Sequence, residues 1–333
     1  MNDNTTRRLF LKRAGAALGV VAFLPLNSFA GSIKHRSGER YFEHTILAMG
    51  ATARLGIYAT HEREANRIIT RAFAELKRLE ALFSVYQSTS DIARINDRVA
   101  NASTVVSSDT LEIIKAAIQF SKMSDRAFDI TVEPLMRLWG FRSVSNTLAQ
   151  LPDQSSLERT LESVGYEKII MDTARREISF THPDTKLDLG GIAVGYALDK
   201  MAAILKSEGI VNGFLDISGD IIALGAPHTN SRGWEIGIPD PTDTSKIIHT
   251  NTITNQALAT SGNYMTYVVY QAQKFGHIID PSVGRSATRV LSTTAIGSSG
   301  LTVDALSTAS FVLGKAVDVE TEFVVVGANG LIS

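Results

Sequence analysis

The sequence predicts an α+β fold in which mixed or antiparallel sheets are flanked by helices. Apolar residues recur at helical spacing in several separate stretches, and short alternating stretches typical of hairpin strands lie between them. The helices cluster between groups of hairpins and do not alternate one by one with strands as in a parallel sheet. The chain has 333 residues, 44% of them hydrophobic, and is therefore long enough to bury a large core.

The helices follow from apolar periodicity and from their end signals. Asp109 with Glu112 resembles a capping box, Ser155 with Glu158 opens another helix, and Gly165 would close it. The predicted helices are 62–83, 109–122, 155–164, 192–207 and 302–313. The predicted strands are 166–171 and 177–181 as a hairpin, 214–217, 234–238, 264–270, 274–279 and 322–326.

Residues 1–30 carry the features of a cleaved export signal. The pair Arg7 and Arg8 precedes an apolar stretch over 14–24, and small residues up to Ala30 lie where a signal peptidase cuts. The apolar stretch is too short to remain as a membrane-spanning anchor. We therefore predict twin-arginine export, cleavage near Ala30 and a periplasmic protein with no stable membrane anchor.

The remainder, residues 31–333, contains no low-complexity linker, internal repeat or charge block, which predicts a single continuous domain. The net charge of −1 and the absence of basic runs argue against nucleic acid as a partner. The chain has no cysteine, which excludes disulfides, a thiolate nucleophile and a cysteine-linked lipid.

Asp304 and Thr308 lie four residues apart in an apolar, helix-forming stretch, so their oxygens share one face of a helical turn. Hard oxygen ligands suit Mg²⁺, which leaves coordination positions open for water and phosphate oxygens. A glycine-rich turn over 190–195 offers unshielded backbone near a helix N-terminus, and Asp188 just before it can accept hydrogen bonds from a ligand. A tight turn packed against its neighbours explains the same glycines.

Two further segments suggest chemistry. The stretch over 127–141 is dense in aromatic residues, against which a flat ring system can lie, but core packing explains it equally well and Asp129 is also a candidate helix cap. His277 ends a predicted strand just before Asp280, where it can take a proton from an incoming hydroxyl. A structural histidine that bonds a turn is an equal alternative.

Eight short segments, in order along the chain, resemble the ApbE family of FAD:protein FMN transferases. They are 49–52, 83–86 with 90–96, 127–129, 188–197, 218–221, 260–262, 277–281 and 304–308. The resemblance implies an ApbE-like fold and an Mg²⁺-dependent enzyme that splits FAD, its substrate. Such an enzyme attaches FMN to a threonine or serine hydroxyl of an exported or membrane protein and releases AMP. The implied acceptor is a flavoprotein subunit of a respiratory or electron-transfer complex, and NosX-like relatives also resemble this chain.

The resemblance also assigns residues by position. The implied flavin-nucleotide contacts are Met49, Tyr86, Ala127, Phe128, Asp129, Asp188 and Ile279. The implied Mg²⁺ ligands are Asp304, Thr308 and the backbone carbonyl of Gly191. We predict His277 as the base for the acceptor hydroxyl and Asp280 as its orienting partner.

The sequence departs from the family pattern at four positions. Val194 replaces a usual lysine or glutamate, Ile130 a usual proline and Glu133 a usual glycine, and Ser307 stands where some members have a metal-binding aspartate. Two alternatives to the transferase remain from sequence: a periplasmic flavin-binding accessory protein without transferase activity, and an FAD pyrophosphatase. A solute-binding receptor suits the compartment but does not explain the spacing of Asp304 and Thr308.

Overall fold

The computed structural model describes residues 38–100, 102–318 and 320–331. The predicted signal peptide, residues 1–30, lies outside this part of the chain. Within it, no helix combines the length and the apolar character needed to cross a bilayer.

The α-helices of the described residues are α1 (Glu62–Phe83), α2 (Asp91–Asn96), α3 (Ser108–Met123), α4 (Glu133–Leu138), α5 (Gln154–Leu161), α6 (Ala193–Ser207) and α7 (Gly300–Leu313). The strands are β1 (Arg40–Ala48), β2 (Ala51–Ala59), β3 (Thr104–Val105), β4 (Ile169–Asp172), β5 (Glu177–Phe180), β6 (Gly213–Ile217), β7 (Asp220–Leu224), β8 (Trp234–Asp240), β9 (Asp243–Ile253), β10 (Gln256–Gly262), β11 (Tyr267–Tyr270), β12 (Gln273–Gly276), β13 (Ile279–Asp280), β14 (Arg285–Ser286), β15 (Ser292–Gly297), β16 (Glu322–Gly327) and β17 (Gly330–Leu331). The predicted α+β class is confirmed.

The predicted helix over 62–83 is confirmed as α1, but two predicted helix starts are wrong. Ser107 caps α3, because its extended backbone lets Oγ accept a hydrogen bond from the Thr110 amide at 3.1 Å. Asp109 therefore lies inside the helix and is not its cap. Asp153 likewise caps α5 by accepting from the Ser156 amide at 2.7 Å.

One compact unit comprises residues 38–78, Val194–Thr260 and Thr294–Asp304. Its sheet has the strand order β1-β2-β6-β7-β10-β15, and the pairs from β1 to β10 are antiparallel. The β8–β9 hairpin contributes Trp234 to the core of this unit, where the ring centroids of Trp234 and Phe214 lie 5.3 Å apart.

A second compact unit comprises Leu79–Ala193, Ser261–Thr293 and residues 305–331. Its strands form small antiparallel sheets, β3-β5-β4, β11-β12 and β13-β14, together with the β16–β17 hairpin. The predicted hairpin over 166–181 is confirmed as β4–β5. The prediction of a single domain over 31–333 stays a prediction.

Core packing accounts for the aromatic side chains at the end of the 127–141 stretch. Trp139 and Phe141 are buried in one apolar cluster with Leu135 and Val268. The Trp139 indole N–H is also satisfied, because it donates to the carbonyl of Gly284 at 2.7 Å. These two rings therefore serve the core of the second unit.

Candidate active site

Helix α7 carries both Asp304 and Thr308, one turn apart on the same face. The helix begins where it does because the Asp199 carboxylate, from α6, caps its first turn. That carboxylate accepts hydrogen bonds from the amides of Gly300 at 2.7 Å and Leu301 at 3.0 Å. An anionic group at this position also interacts favourably with the helix dipole.

The Asp304 carboxylate is buried and accepts a hydrogen bond from the Gly195 amide of α6 at 2.9 Å. Burial raises its pKa from an ordinary 3.8 to about 7. Burial and the charge of Asp304 together raise the pKa of Asp220 on the neighbouring β7 well above its usual range. Two buried carboxylates that oppose each other's ionisation make a setting in which a divalent cation is electrostatically favoured.

Thr308, in the second unit, faces the backbone of Gly191. A Cβ on Gly191 would lie 3.0 Å from the Thr308 hydroxyl oxygen, so glycine leaves the space between them open. The Thr308 hydroxyl also lies 3.1 Å from Ser261 Oγ, which is 2.9 Å from Ser307 Oγ. Ser307 therefore joins a chain of three hydroxyls with Ser261 and Thr308.

These donors fit Mg²⁺ better than they fit a transition metal. Among the residues that the structure describes, no three or more His, Cys, Asp or Glu side chains converge as a metal cage. Magnesium instead binds through one or two carboxylates and completes its shell with water and phosphate oxygens. A buried carboxylate and a hydroxyl on the same face of α7 match that requirement.

Tyr86 and Asp188, two of the predicted nucleotide contacts, meet at the guanidinium of Arg142. Arg142 Nη1 donates to the Tyr86 hydroxyl at 3.3 Å, and Nη2 donates to the Asp188 carboxylate. Nε and Nη2 also donate to one oxygen of the fully buried Glu133, at 2.9 and 2.6 Å. The structure thus brings together two residues that are far apart in sequence.

The predicted contacts at 127–129 form a compact turn after α3. Asp129 caps a 3-10 turn, with Oδ1 accepting from the Thr131 amide at 2.8 Å and Oδ2 accepting from the Tyr166 amide at 2.8 Å. Burial raises its pKa. Phe128 is buried, with an edge-to-face contact to Phe120, and its ring borders Gly191. The helix-cap interpretation of Asp129 is therefore confirmed, while its contact with a flavin stays a prediction.

Met49 and Ile279 lie in very different surroundings. Met49 is at the tip of the β1–β2 hairpin, where it and Gly50 have φ values of 50° and 76°. Two successive positive φ angles are the signature of a type I′ turn, which usually carries Asn-Gly. A methionine held in this conformation is uncommon and typical of functional positions. Ile279, in the second unit, is buried on β13.

His277 is half-buried, and its Nδ1 lies 3.2 Å from the carbonyl oxygen of Thr266. Because a carbonyl only accepts, this contact requires N–H at Nδ1 and leaves Nε2 as an unprotonated acceptor. Burial lowers the pKa of His277 to about 4, and the charge of Arg142 contributes to the shift. Asp280 Oδ1 accepts from the Ser282 amide and hydroxyl. The orienting role predicted for Asp280 therefore belongs to Thr266.

Sequence reasoning missed Arg142 and Asp199, and it included Asp220 only as part of the segment 218–221 without a role of its own. From sequence, Glu133 is only a departure from a usual glycine. A carboxylate that is buried needs a cation nearby, and that requirement could have pointed to Arg142. Asp199 lies within the helix predicted over 192–207 as an ordinary polar residue, and nothing local shows that it caps another helix.

Comparison with known proteins identifies the family of this chain. The model of the ApbE family matches residues 49–321. The chain belongs to the ApbE family. The protein named FAD:protein FMN transferase of Haemophilus influenzae is 32% identical over 257 residues, which cover 74% of this chain and 73% of that protein.

Solved ApbE structures share the fold. The ApbE protein of Thermotoga maritima superposes with a TM-score of 0.80 at 31% identity, covering 87% of this chain and 96% of that one. The flavin transferase ApbE of Vibrio cholerae superposes with a TM-score of 0.77 at 26% identity, covering 88% and 96%. The family match includes every residue predicted to bind FAD or a metal ion.

Proposed function

We propose that this ApbE protein is an FAD:protein FMN transferase, which moves the FMN half of FAD onto a hydroxyl of another protein. The observation that carries the proposal is the continuous family match over 49–321, together with curated relatives of that name at up to 32% identity. The paired oxygens of Asp304 and Thr308 on one helical face add a chemical reason, since a pyrophosphate substrate needs its charge neutralised.

In the proposed reaction, the acceptor hydroxyl oxygen attacks the phosphorus of the FMN half. A new phosphoester bond forms, the bond from that phosphorus to the bridging oxygen breaks, and AMP leaves with that oxygen. The hydroxyl proton moves to Nε2 of His277, which is unprotonated at neutral pH because its pKa lies at about 4. Holding acceptor and phosphorus in line supplies a large part of the rate gain.

We propose that Asp304, Thr308 and the Gly191 carbonyl hold Mg²⁺. When bound, the ion neutralises pyrophosphate charge and polarises the phosphoryl oxygens. Asp188, Tyr86 and the turn over 127–129 are the proposed flavin-nucleotide contacts, together with Met49 and Ile279. The buried, hydrogen-bonded state of Asp129 means that its part of the site is formed before FAD arrives.

The acceptor we propose is a flavoprotein subunit of a respiratory or electron-transfer complex with a threonine or serine target. We expect the purified protein, given FAD, Mg²⁺ and the purified apo-subunit of a sodium-pumping complex, to produce a flavin-fluorescent acceptor band under denaturing conditions. Mass spectrometry should place one FMN on one hydroxyl residue. A second reaction without Mg²⁺, containing chelator, is the matched control and should give no band.

The same incubation separates the alternatives. Free FMN and AMP in solution, in equal amounts and without a labelled acceptor, would indicate a pyrophosphatase. Tightly bound, intact FAD without cleavage would indicate a flavin-binding accessory protein. Either result would contradict the transferase proposal.

We also propose export to the periplasm by the twin-arginine route, which rests on the sequence of residues 1–30 alone. Replacing Arg7 and Arg8 together with lysine should leave the full-length precursor in the cytoplasm, because that route requires the arginine pair. Cell fractionation and immunoblotting would measure this. Normal processing and periplasmic recovery of the double variant would exclude the route.

A further inference from the structure

The guanidinium of Arg142 donates hydrogen bonds to a carboxylate that has no access to solvent. Glu133 is 0% exposed, and its Oε2 accepts from both Nε and Nη2 of Arg142. The other oxygen, Oε1, accepts from Nε of Arg137 at 2.9 Å. A planar guanidinium with two of its donors fixed in this way has little rotational freedom, so its remaining donors point in set directions.

Those remaining donors reach two predicted nucleotide contacts. Nη1 bonds the Tyr86 hydroxyl, and the guanidinium carbon lies 5.6 Å from the centre of the Tyr86 ring. Nη2 bonds the Asp188 carboxylate, whose other oxygen accepts the amide of Gly190 at 2.5 Å. Tyr86 is half-exposed, and Arg142 contacts both its hydroxyl and the face of its ring.

The positive charge of Arg142 is needed to keep Glu133 and Asp188 close together. Glu133 and Asp188 both converge on Nη2, and without the guanidinium two carboxylates would face each other at that point. Arg142 is only 18% exposed, so solvent would screen that repulsion poorly.

We propose that Arg142, anchored by Glu133, is a positioning residue that holds Tyr86 and Asp188 in the geometry that binds FAD. The inference rests on the proposed function, because it takes FAD as the ligand. It predicts that losing the guanidinium weakens FAD binding by more than the loss of an ordinary surface arginine would.

The test compares two arginines that share Glu133 as a partner. We expect Arg142→Met to raise the FAD dissociation constant by about ten-fold or more, because it releases contacts to two ligand-binding side chains. Arg137→Met is the matched control: it removes the other partner of Glu133 and touches neither Tyr86 nor Asp188 in the described contacts. It should lower the melting temperature and change the FAD dissociation constant by less than about two-fold.

FAD binding is measured by flavin fluorescence titration of the full chain, with melting temperatures recorded in parallel. Arg142→Lys keeps the charge without the fork of donors and should restore only part of the affinity. If Arg142→Met does not fold, the double variant Glu133→Gly with Arg142→Gly removes both buried charges and takes its place, with the same expected loss.

The outcomes distinguish the positioning role of Arg142 from the proposed transferase function. Unchanged or tighter FAD binding in folded Arg142 variants, with only a lower melting temperature, would overturn the positioning role and leave the transferase proposal intact. Equal weakening by Arg137→Met would also overturn it, since the effect would then act through Glu133 and general stability. Failure of the wild-type protein to bind FAD would overturn the proposed function and this inference together.

Discussion

Replacing Asp304 with asparagine is expected to reduce FMN transfer by about a thousand-fold or more, since a metal clamp supplies several kcal/mol of charge stabilisation. The same change is expected to make the metal-free protein more resistant to unfolding at pH 8. The two effects have one cause. Asp304 is buried beside Asp220, so its negative charge attracts a cation when one is bound and destabilises the folded protein when none is.

The sign of the pH dependence follows from the raised pKa. Asp304 has a pKa of about 7 in the folded protein and an ordinary value of 3.8 when unfolded. Between these values the folded state holds the extra proton, so the free energy of unfolding falls as pH rises from about 4 to about 7. Asp220 is shifted in the same direction and adds to the trend. Bound Mg²⁺ requires the ionised carboxylate, so its stabilising effect should grow with pH.

Denaturant unfolding at pH 5 and pH 8, in chelator and in Mg²⁺, would measure both effects. The wild-type protein should gain stability from Mg²⁺ at pH 8 and little at pH 5, and Asp304→Asn should gain little at either pH. Asp243→Asn, which changes a surface carboxylate on β9, is the control and should behave as wild type. Transfer by Asp304→Asn at the wild-type rate with chelator present would refute the metal assignment.

Gly195→Ala is expected to lower the free energy of unfolding by about 3 kcal/mol or more. This is opposite to the usual effect, because alanine normally stabilises a helix by about 1 kcal/mol relative to glycine. A Cβ at this position would lie 2.1 Å from the carbonyl oxygen of Gly300 and 2.7 Å from Cβ of Asp304. Backbone cannot move aside as a flexible side chain can, so α6 and α7 would have to separate. The Gly195 amide would then lose the Asp304 carboxylate, and transfer activity should fall as well.

The matched control for this substitution is Gly297→Ala, on β15 in the same unit. Among the described residues, a Cβ at this position would approach Cγ1 of Val303 at 3.2 Å, a methyl group that can shift slightly. We expect a change within about 1 kcal/mol there. Equal stability of the two variants in urea unfolding would show that α6 and α7 do not depend on the close approach.

The features that sequence predicted correctly are those with a strong local pattern. The apolar face of α1 repeats every turn and α7 is apolar nearly all round, and both helices were found nearly to their ends. The β1–β2 hairpin was missed because exposed and half-buried residues dominate β1 and its turn carries Met49 where an asparagine would have signalled it. Helix caps were misplaced by one or two residues, since several Ser and Asp residues near each start could all serve.

In the candidate site, too, features set by local spacing could be predicted and contacts between distant residues could not. Asp304 and Thr308 could be paired from spacing alone, because a helix fixes the geometry of residues four apart. The interaction of Arg142 with Tyr86 crosses 56 residues, and that of Asp199 with Leu301 crosses 102, so no local pattern predicts either. The resemblance predicted which residues contact the nucleotide, but only the fold shows that Asp129 supports a turn and that Thr266 contacts the His277 ring.

Helices α6 and α7 are tied at two levels that are one turn apart: the Asp199 carboxylate holds the start of α7, and the Gly195 amide holds Asp304. The Asp304 carboxylate is thus held in place by the Gly195 amide and by the anchored backbone of α7, without help from a bound ion. The conformational entropy of ordering it is lost during folding and not during capture of the cation. A cation bound there would consequently be held more tightly than by a carboxylate that must first be ordered.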